Sequence, residues 1–271
     1  RQDAYAWNAI ISAHAKLGNI DTTFDMYNSM RRKGIEPSVV TFLCVLKAFY
    51  GIGSVGKGRA VHDDIIRSGF ARHLTLSNTL IDMYAKWGML TEARDIFENL
   101  SSRDVVSFNA LMTGYSDHGL DENIMNCYAE MKAHNISPNV ITFVCILRSF
   151  ANLGNITLGR EIYMEISKLS LEQEVFVGNT LIDLYVKCGS MAEAKEVFDS
   201  LTERDLVSWT ILITGYADLE LVEECMECLK EMELEGIFPD EIAFLGCLKA
   251  CGNTQSLEKG QEIHSKVKRV C

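Results

Sequence analysis

Asp104-Val105-Val106-Ser107-Phe108-Asn109 is one of three copies of a single pattern. An acid opens it, a short apolar run follows, and an aromatic and a small polar residue close it. Asp205-Leu206-Val207-Ser208-Trp209-Thr210 repeats it 101 residues later, and Asp3-Ala4-Tyr5-Ala6-Trp7-Asn8 precedes it by the same 101 residues. A fixed period marks a repeat architecture and overrides any domain count taken from length. The prolines keep the same register. Pro37, Pro138 and Pro239 are the three in the chain, again 101 apart, in Gly34-Ile35-Glu36-Pro37, Asn135-Ile136-Ser137-Pro138 and Gly236-Ile237-Phe238-Pro239. Proline shortly after a helix end stops that helix, so one inter-unit loop recurs three times.

Framing the chain on these marks gives units of 35, 35 and 31 residues in a cycle of 101. The expected units are 4–38, 39–73 and 74–104, then 105–139, 140–174 and 175–205, then 206–240 and a truncated 241–271. Residues 1–3 are the tail of a preceding unit. Because the chain opens on Arg1 and ends on Cys271, it is expected to be part of a longer protein, with any targeting peptide elsewhere.

Within a unit the apolar period is helical. In 175–205, Val177, Leu181, Leu184 and Tyr185 fall three or four apart, Cys188-Gly189 interrupts, and Met191, Ala194, Val197, Phe198 and Leu201 make a second stripe. Gly18, Gly53, Gly88, Gly119, Gly154 and Gly189 share one position, where positive φ closes the first helix. Glu220 and Gln255 stand there in the last two units, so those turns are expected to be built differently. A lone helical hairpin cannot bury its apolar face, whereas stacked hairpins can. The expected fold class is therefore all-α: a right-handed α-solenoid superhelix of helix-turn-helix repeats. Trp7, Phe42, Phe108, Phe143, Trp209 and Phe244 share one repeat position and are expected in its core.

Composition narrows the function. The 271 residues are 48% hydrophobic and 23% charged, too apolar for a disordered chain, and no run of 18 apolar residues forms a membrane span. Nine cysteines, most within apolar helical stretches, point to buried thiols in a reducing compartment rather than a disulfide framework. The net charge of −11 has the wrong sign for a general nucleic-acid binder.

The repeats resemble the pentatricopeptide repeat (PPR) family over essentially the whole chain. Val105-Val106-Ser107-Phe108-Asn109-Ala110-Leu111-Met112-Thr113-Gly114-Tyr115 resembles the first helix of the family's 35-residue repeat. Residues 175–189 look like its short variant and 244–251 like its long one. The alternation of ordinary, long and short units is similar to the PLS subclass, typical of plants. Tetratricopeptide repeats, at 34 residues without a three-unit cycle, fit less well.

The resemblance implies single-stranded RNA binding at one base per repeat in a chloroplast or mitochondrion, and in this subclass the choice of sites for C-to-U editing. It implies that the fifth and last residues of a unit read a base together. Carried onto this sequence, the readers are Asn8 with Ser38, Asn78 with Asp104, Asn109 with Asn139, Asn179 with Asp205, and Thr210 with Asp240. The second residues Tyr5, Thr75, Val106, Phe176 and Val207 are implied to flank the bases. The family's pairing rules give U for Asn–Asp, a pyrimidine for Asn–Asn, a leaning to C for Asn–Ser and G for Thr–Asp. The implied target reads Y-n-U-Y-n-U-G-n from 5′ to 3′. Leu43, Val144 and Leu245 occupy the fifth position of the long units, and an aliphatic side chain cannot hydrogen-bond a base. The same Asn, Thr and Asp residues also suit helix starts and N-caps, independent of any ligand.

Other chemistry finds little support. Cys225, Cys228, Cys247 and Cys251 have spacings a zinc site can use, yet both pairs fall inside helices, which favours core thiols. The zinc-deaminase pattern, Walker A, GxSxG and HExxH are all missing, so no catalytic centre, metal or cofactor is expected in this chain. A deaminase would lie beyond Cys271 or act in trans. Glu223, Glu224, Glu231, Glu233 and Glu235 are expected on the wet outer face, and Lys16, Lys47, Lys86, Arg148, Lys187 and Lys249 near phosphates. Expected partners are organellar RNA, with editing cofactor proteins or a larger ribonucleoprotein, and no membrane. The competing reading is a scaffold subunit making protein contacts in a large organellar complex such as a ribosome, which suits the acidity.

Overall fold

Capping chemistry sets where the helices begin. Ser38, Asp104, Asn139 and Asp205 each accept from the backbone N–H three residues on, and the hydroxyl at that third position accepts in return from the cap's own N–H. This reciprocal capping box satisfies two donors that a helix start leaves open.

The computed structural model describes residues 4–49 and 55–270, with side chains to Lys268. Among these residues there are sixteen α-helices and no strand. They fall into two compact units, residues 1–138 and 139–271. The first holds α1 (Ala4–Lys16), α2 (Ile20–Arg32), α3 (Val39–Ala48), α4 (Val55–Arg67), α5 (Leu74–Lys86), α6 (Leu90–Glu98), α7 (Val105–Asp117) and α8 (Asp121–Ala133). Odd and even helices pair as hairpins, and the odd ones pack in sequence, α1 on α3, α3 on α5 and α5 on α7. Phe108 of α7 is fully buried and meets Phe97 of α6 edge to face at 4.9 Å. Gly114 lets α7 approach α5: a Cβ there would lie 2.4 Å from the Ala85 Cβ.

The second unit repeats the scheme with α9 (Val140–Leu153), α10 (Ile156–Lys168), α11 (Val175–Lys187), α12 (Met191–Ser200), α13 (Leu206–Asp218), α14 (Val222–Leu234), α15 (Glu241–Asn253) and α16 (Leu257–Val270). Here α9 packs on α11, α11 on α13 and α13 on α15. Trp209 meets Phe198 edge to face at 4.6 Å, and Trp7, Phe42, Phe143 and Phe244 are buried like Phe108 and Trp209, as core aromatics.

The first-helix turns correct one expectation. Gly18, Gly88, Gly119, Gly154 and Gly189 have φ between 63° and 75°; Gly53 lies outside the described residues. Glu220 and Gln255 adopt the same left-handed conformation, φ 60° and 56°, so these turns are built alike and not differently. The hairpin geometry overrides the strain of a Cβ at positive φ.

Even-numbered helices carry ion pairs to their neighbours, Arg59 to Glu92 (3.1 Å) and Arg94 to Glu130 (3.1 Å) in the first unit, and Arg160 to Glu193 (2.8 Å) and Lys266 to Glu233 (2.9 Å) in the second. Glu223, largely exposed, pairs with Lys259. The acidic stretch of α14 therefore lies on this polar layer. No helix among the described residues is long and apolar enough to cross a membrane.

Candidate nucleic-acid interface

The first helices bring two of the predicted pairs together in one geometry. Asn78 sits one turn into α5, and its Nδ2 donates to Asp104 Oδ1 at 3.2 Å. In the second unit Asn179 Nδ2 donates to Asp205 Oδ1 at 3.0 Å. A carboxylate offers only acceptors, which assigns the amide nitrogen to that side. Behind each Asn stands a hydroxyl that the sequence reading did not single out. Ser107 Oγ lies 2.7 Å from Asn78 Oδ1, and Ser208 Oγ 2.6 Å from Asn179 Oδ1.

The same serines face the acids. Ser107 N–H donates to Asp104 Oδ1 at 2.8 Å, and Ser208 N–H to Asp205 Oδ1 at 2.8 Å. Partial burial pushes the Asp104 carboxyl up, but hydrogen bonds led by the Ser107 N–H and including the Asn78 amide outweigh it, so the carboxyl sits below its ordinary range. Asp205 is shifted the same way, burial again opposed by Ser208 and Asn179. Both acids are thus carboxylates at neutral pH. The Asn side chains are nearly enclosed, with 8% and 7% of their residue surface exposed.

The other pairs differ. Asn8 accepts from the Thr41 hydroxyl at 2.6 Å, and that hydroxyl is 3.1 Å from Ser38 Oγ. Thr210 donates to the Leu206 carbonyl in its own helix at 2.7 Å, and Asp240 caps α15 through the Ala243 N–H at 2.9 Å. Among the described residues no hydrogen bond joins Thr210 to Asp240. The residue corresponding to Ser107 is Ala243, which has no hydroxyl to link them. Asn109 is buried in the first unit, and Asn139 caps α9 in the second.

The second residues form the exposed part of each first helix. Tyr5 is 83% exposed and Phe176 77%, with Val106, Val207 and Thr75 also exposed. Val40, Ile141 and Ile242, at the same place in the long units, are exposed as well. Leu43 and Val144 are half-buried and Leu245 exposed, and each brings only hydrocarbon to the fifth position.

The cations divide. Lys86 pairs with Asp82 at 3.1 Å, Lys187 with Asp183 at 2.8 Å, and Lys249 with Asp218 at 2.8 Å. Lys16, Lys47 and Arg148 are exposed. Cys225, Cys228, Cys247 and Cys251 are all buried, and no group of His, Cys, Asp and Glu among the described residues has an arrangement able to hold a metal.

Comparison with known proteins agrees with this architecture. The PPR repeat family matches residues 2–51, 103–152 and 204–253, and the PPR repeat matches 76–105 and 179–206. A chloroplastic pentatricopeptide repeat-containing protein of Arabidopsis thaliana is 33% identical over 99% of this chain and 43% of its own length. A mitochondrial one is 34% identical over 99% of this chain and 32% of its own length. The chain thus spans less than half of each of these relatives. The crystal structure of the pentatricopeptide repeat protein PPR10 in complex with an 18-nt psaJ RNA element superposes with a TM-score of 0.64, at 18% identity, covering 98% of this chain and 45% of that one. That likeness is one of fold. Repeat matches over more than half of the residues, on hairpins that start at the same register, establish that this chain belongs to the pentatricopeptide repeat family.

Proposed function

We propose that this chain binds single-stranded RNA sequence-specifically in organellar RNA processing, one base per repeat, and that it selects sites for C-to-U editing. The observation that carries the reading is the recurrence of one donor–acceptor pair, Asn78 with Asp104 and Asn179 with Asp205, in equivalent places of two units. Uracil presents an acceptor, O4, beside a donor, N3–H. An Asn amide N–H and an Asp oxygen are the matching partners, directly or through a water. Exposed Val106, Phe176 and Val207 beside these pairs suit the faces of bases.

In this reading the eight units are PLS-type repeats in the 35-35-31 frame, and the chain is a binding component rather than an enzyme. The RNA in the PPR10 crystal structure and the chloroplastic or mitochondrial names of relatives support an RNA partner in one of those organelles. Editing cofactor proteins or a larger ribonucleoprotein are the further partners proposed. The net charge of −11 and the acids that pair Lys86, Lys187 and Lys249 favour a second reading, a scaffold subunit making protein contacts in an organellar complex.

Fluorescence anisotropy separates the two. At near-physiological salt the purified chain should bind an RNA reading Y-n-U-Y-n-U-G-n more tightly than its complement. Equal binding to both, or none to either, rejects the RNA reading and favours the scaffold.

A further inference from the structure

The hydroxyls of Ser107 and Ser208 belong to capping boxes, and a capping box needs only its own helix. Both also reach back to an Asn on the preceding first helix, 29 residues earlier in sequence. Thr41 does the same to Asn8. The sequence carries a matching correlation. The third residue of a unit is Thr41, Ser107, Thr142 or Ser208 wherever the preceding unit has Asn at its fifth position: Asn8, Asn78, Asn109, Asn179. Where the preceding fifth residue is Leu43, Val144 or Thr210, the third residue is Leu76, Val177 or Ala243, with no hydroxyl. Helix capping alone does not require this correspondence.

The donor count explains it. Asp104 Oδ1 already receives the Ser107 N–H and the Asn78 amide, and the Asp104 N–H faces Ser107 Oγ at 3.3 Å. Ser107 Oγ lies 2.8 Å from Asp104 Oδ1 and 2.7 Å from Asn78 Oδ1; because the first is already served by two N–H donors, the one Ser107 proton goes best to Asn78 Oδ1, the acceptor otherwise unserved in this ring. The ring occupies the amide oxygen from behind and one N–H from the side. The other N–H is the group left to offer. A donor suits the O4 carbonyl of uracil and repels the N4 amino group of cytosine.

We infer that Ser107 and Ser208 are positioning residues for base choice: their hydroxyls hold the Asn78 and Asn179 amides as donors and so set preference for U over C. This rests on the RNA reading proposed above. Thr41 also donates to Asn8 Oδ1, but Ser38 stands there in place of an acid, so the inference is confined to Asn78 and Asn179.

The test measures the U-to-C affinity ratio at each base separately, using the full 271-residue chain. The parent should prefer U at the bases of Asn78 and Asn179 by about tenfold or more, the size of a good polar readout. S107A should cut that ratio several-fold at the Asn78 base and leave it intact at the Asn179 base, while S107T retains it. Loss of the cap alone would weaken all RNAs alike and leave the ratio unchanged, which overturns the inference. A gain-of-function variant avoids cap loss altogether. T210N with A243S should prefer U at the base of the seventh unit more strongly than T210N alone, and equal preference overturns the inference. A parent chain with no U preference at either base instead defeats the RNA reading on which the inference stands.

Discussion

Asn78 and Asp104 are hydrogen-bonded at 3.2 Å across two helices, although Asp104 shares a short sequence segment with Asn109. The junction Asp104–Asn109 is thus a seam. Its acid completes the pair of the helix before, and its Asn lies one turn into the helix that follows. Asp104 does two tasks at once, capping α7 and holding the Asn78 amide.

This double use has a pH signature. The folded-state pKa values of Asp104 and Asp205 are depressed, so their contribution is complete above the ordinary carboxylate value and is lost as pH falls through the lowered folded value. Melting temperature should therefore decline below about pH 4. The double variant D104N/D205N, whose Asn caps do not titrate, should lose less between about pH 5 and pH 3. Parallel melting profiles of parent and variant over that range would contradict the assignment.

Glu220 and Gln255 hold left-handed conformations that five equivalent glycines adopt without strain. Replacing either by Gly should stabilise the chain by about 1 kcal/mol, the relief of a Cβ at positive φ less the entropy cost of glycine. Thermal unfolding of E220G and Q255G checks this, and a lower midpoint for both would be against it.

Burial pushes the Cys127 thiol up to about 11 and the Cys228 thiol to about 12. Thiolate is the reactive form. At pH 8 a thiol reagent should leave both unlabelled in the folded chain and label them on unfolding, as read by mass spectrometry. Chelation by EDTA should leave the melting temperature unchanged, since Cys225, Cys228, Cys247 and Cys251 are buried and no group able to hold a metal occurs among the described residues.

Phe176 is 77% exposed, so it contributes little to the core. F176A should keep the parent melting temperature and weaken RNA binding by about tenfold, within the range of one lost base–aromatic stack. Unchanged RNA affinity would remove Phe176 from the interface.

Much of this was legible from spacing. The proline period and the aromatic stripe are repeated features of one hairpin, and repetition turns weak local signals into a register. The glycines at the first-helix turns were legible for the same reason. Glu220 and Gln255 depart from the expectation because hairpin geometry outweighs residue preference at these turns. Ser107 and Ser208 do not stand out in the sequence, because their second role joins positions 29 residues apart. The correlation of hydroxyls with Asn at the fifth position was nevertheless present in the chain. Pairing of Lys86 and Lys187 was also readable, from an Asp four residues earlier on the same helix.

The most direct test of the central claim is the affinity of this chain for Y-n-U-Y-n-U-G-n RNA before and after replacing both U bases by A. Loss of two polar readouts predicts binding weaker by about 30-fold or more. Equal affinity for the two RNAs would contradict the account, because Asn78–Asp104 and Asn179–Asp205 would then read nothing.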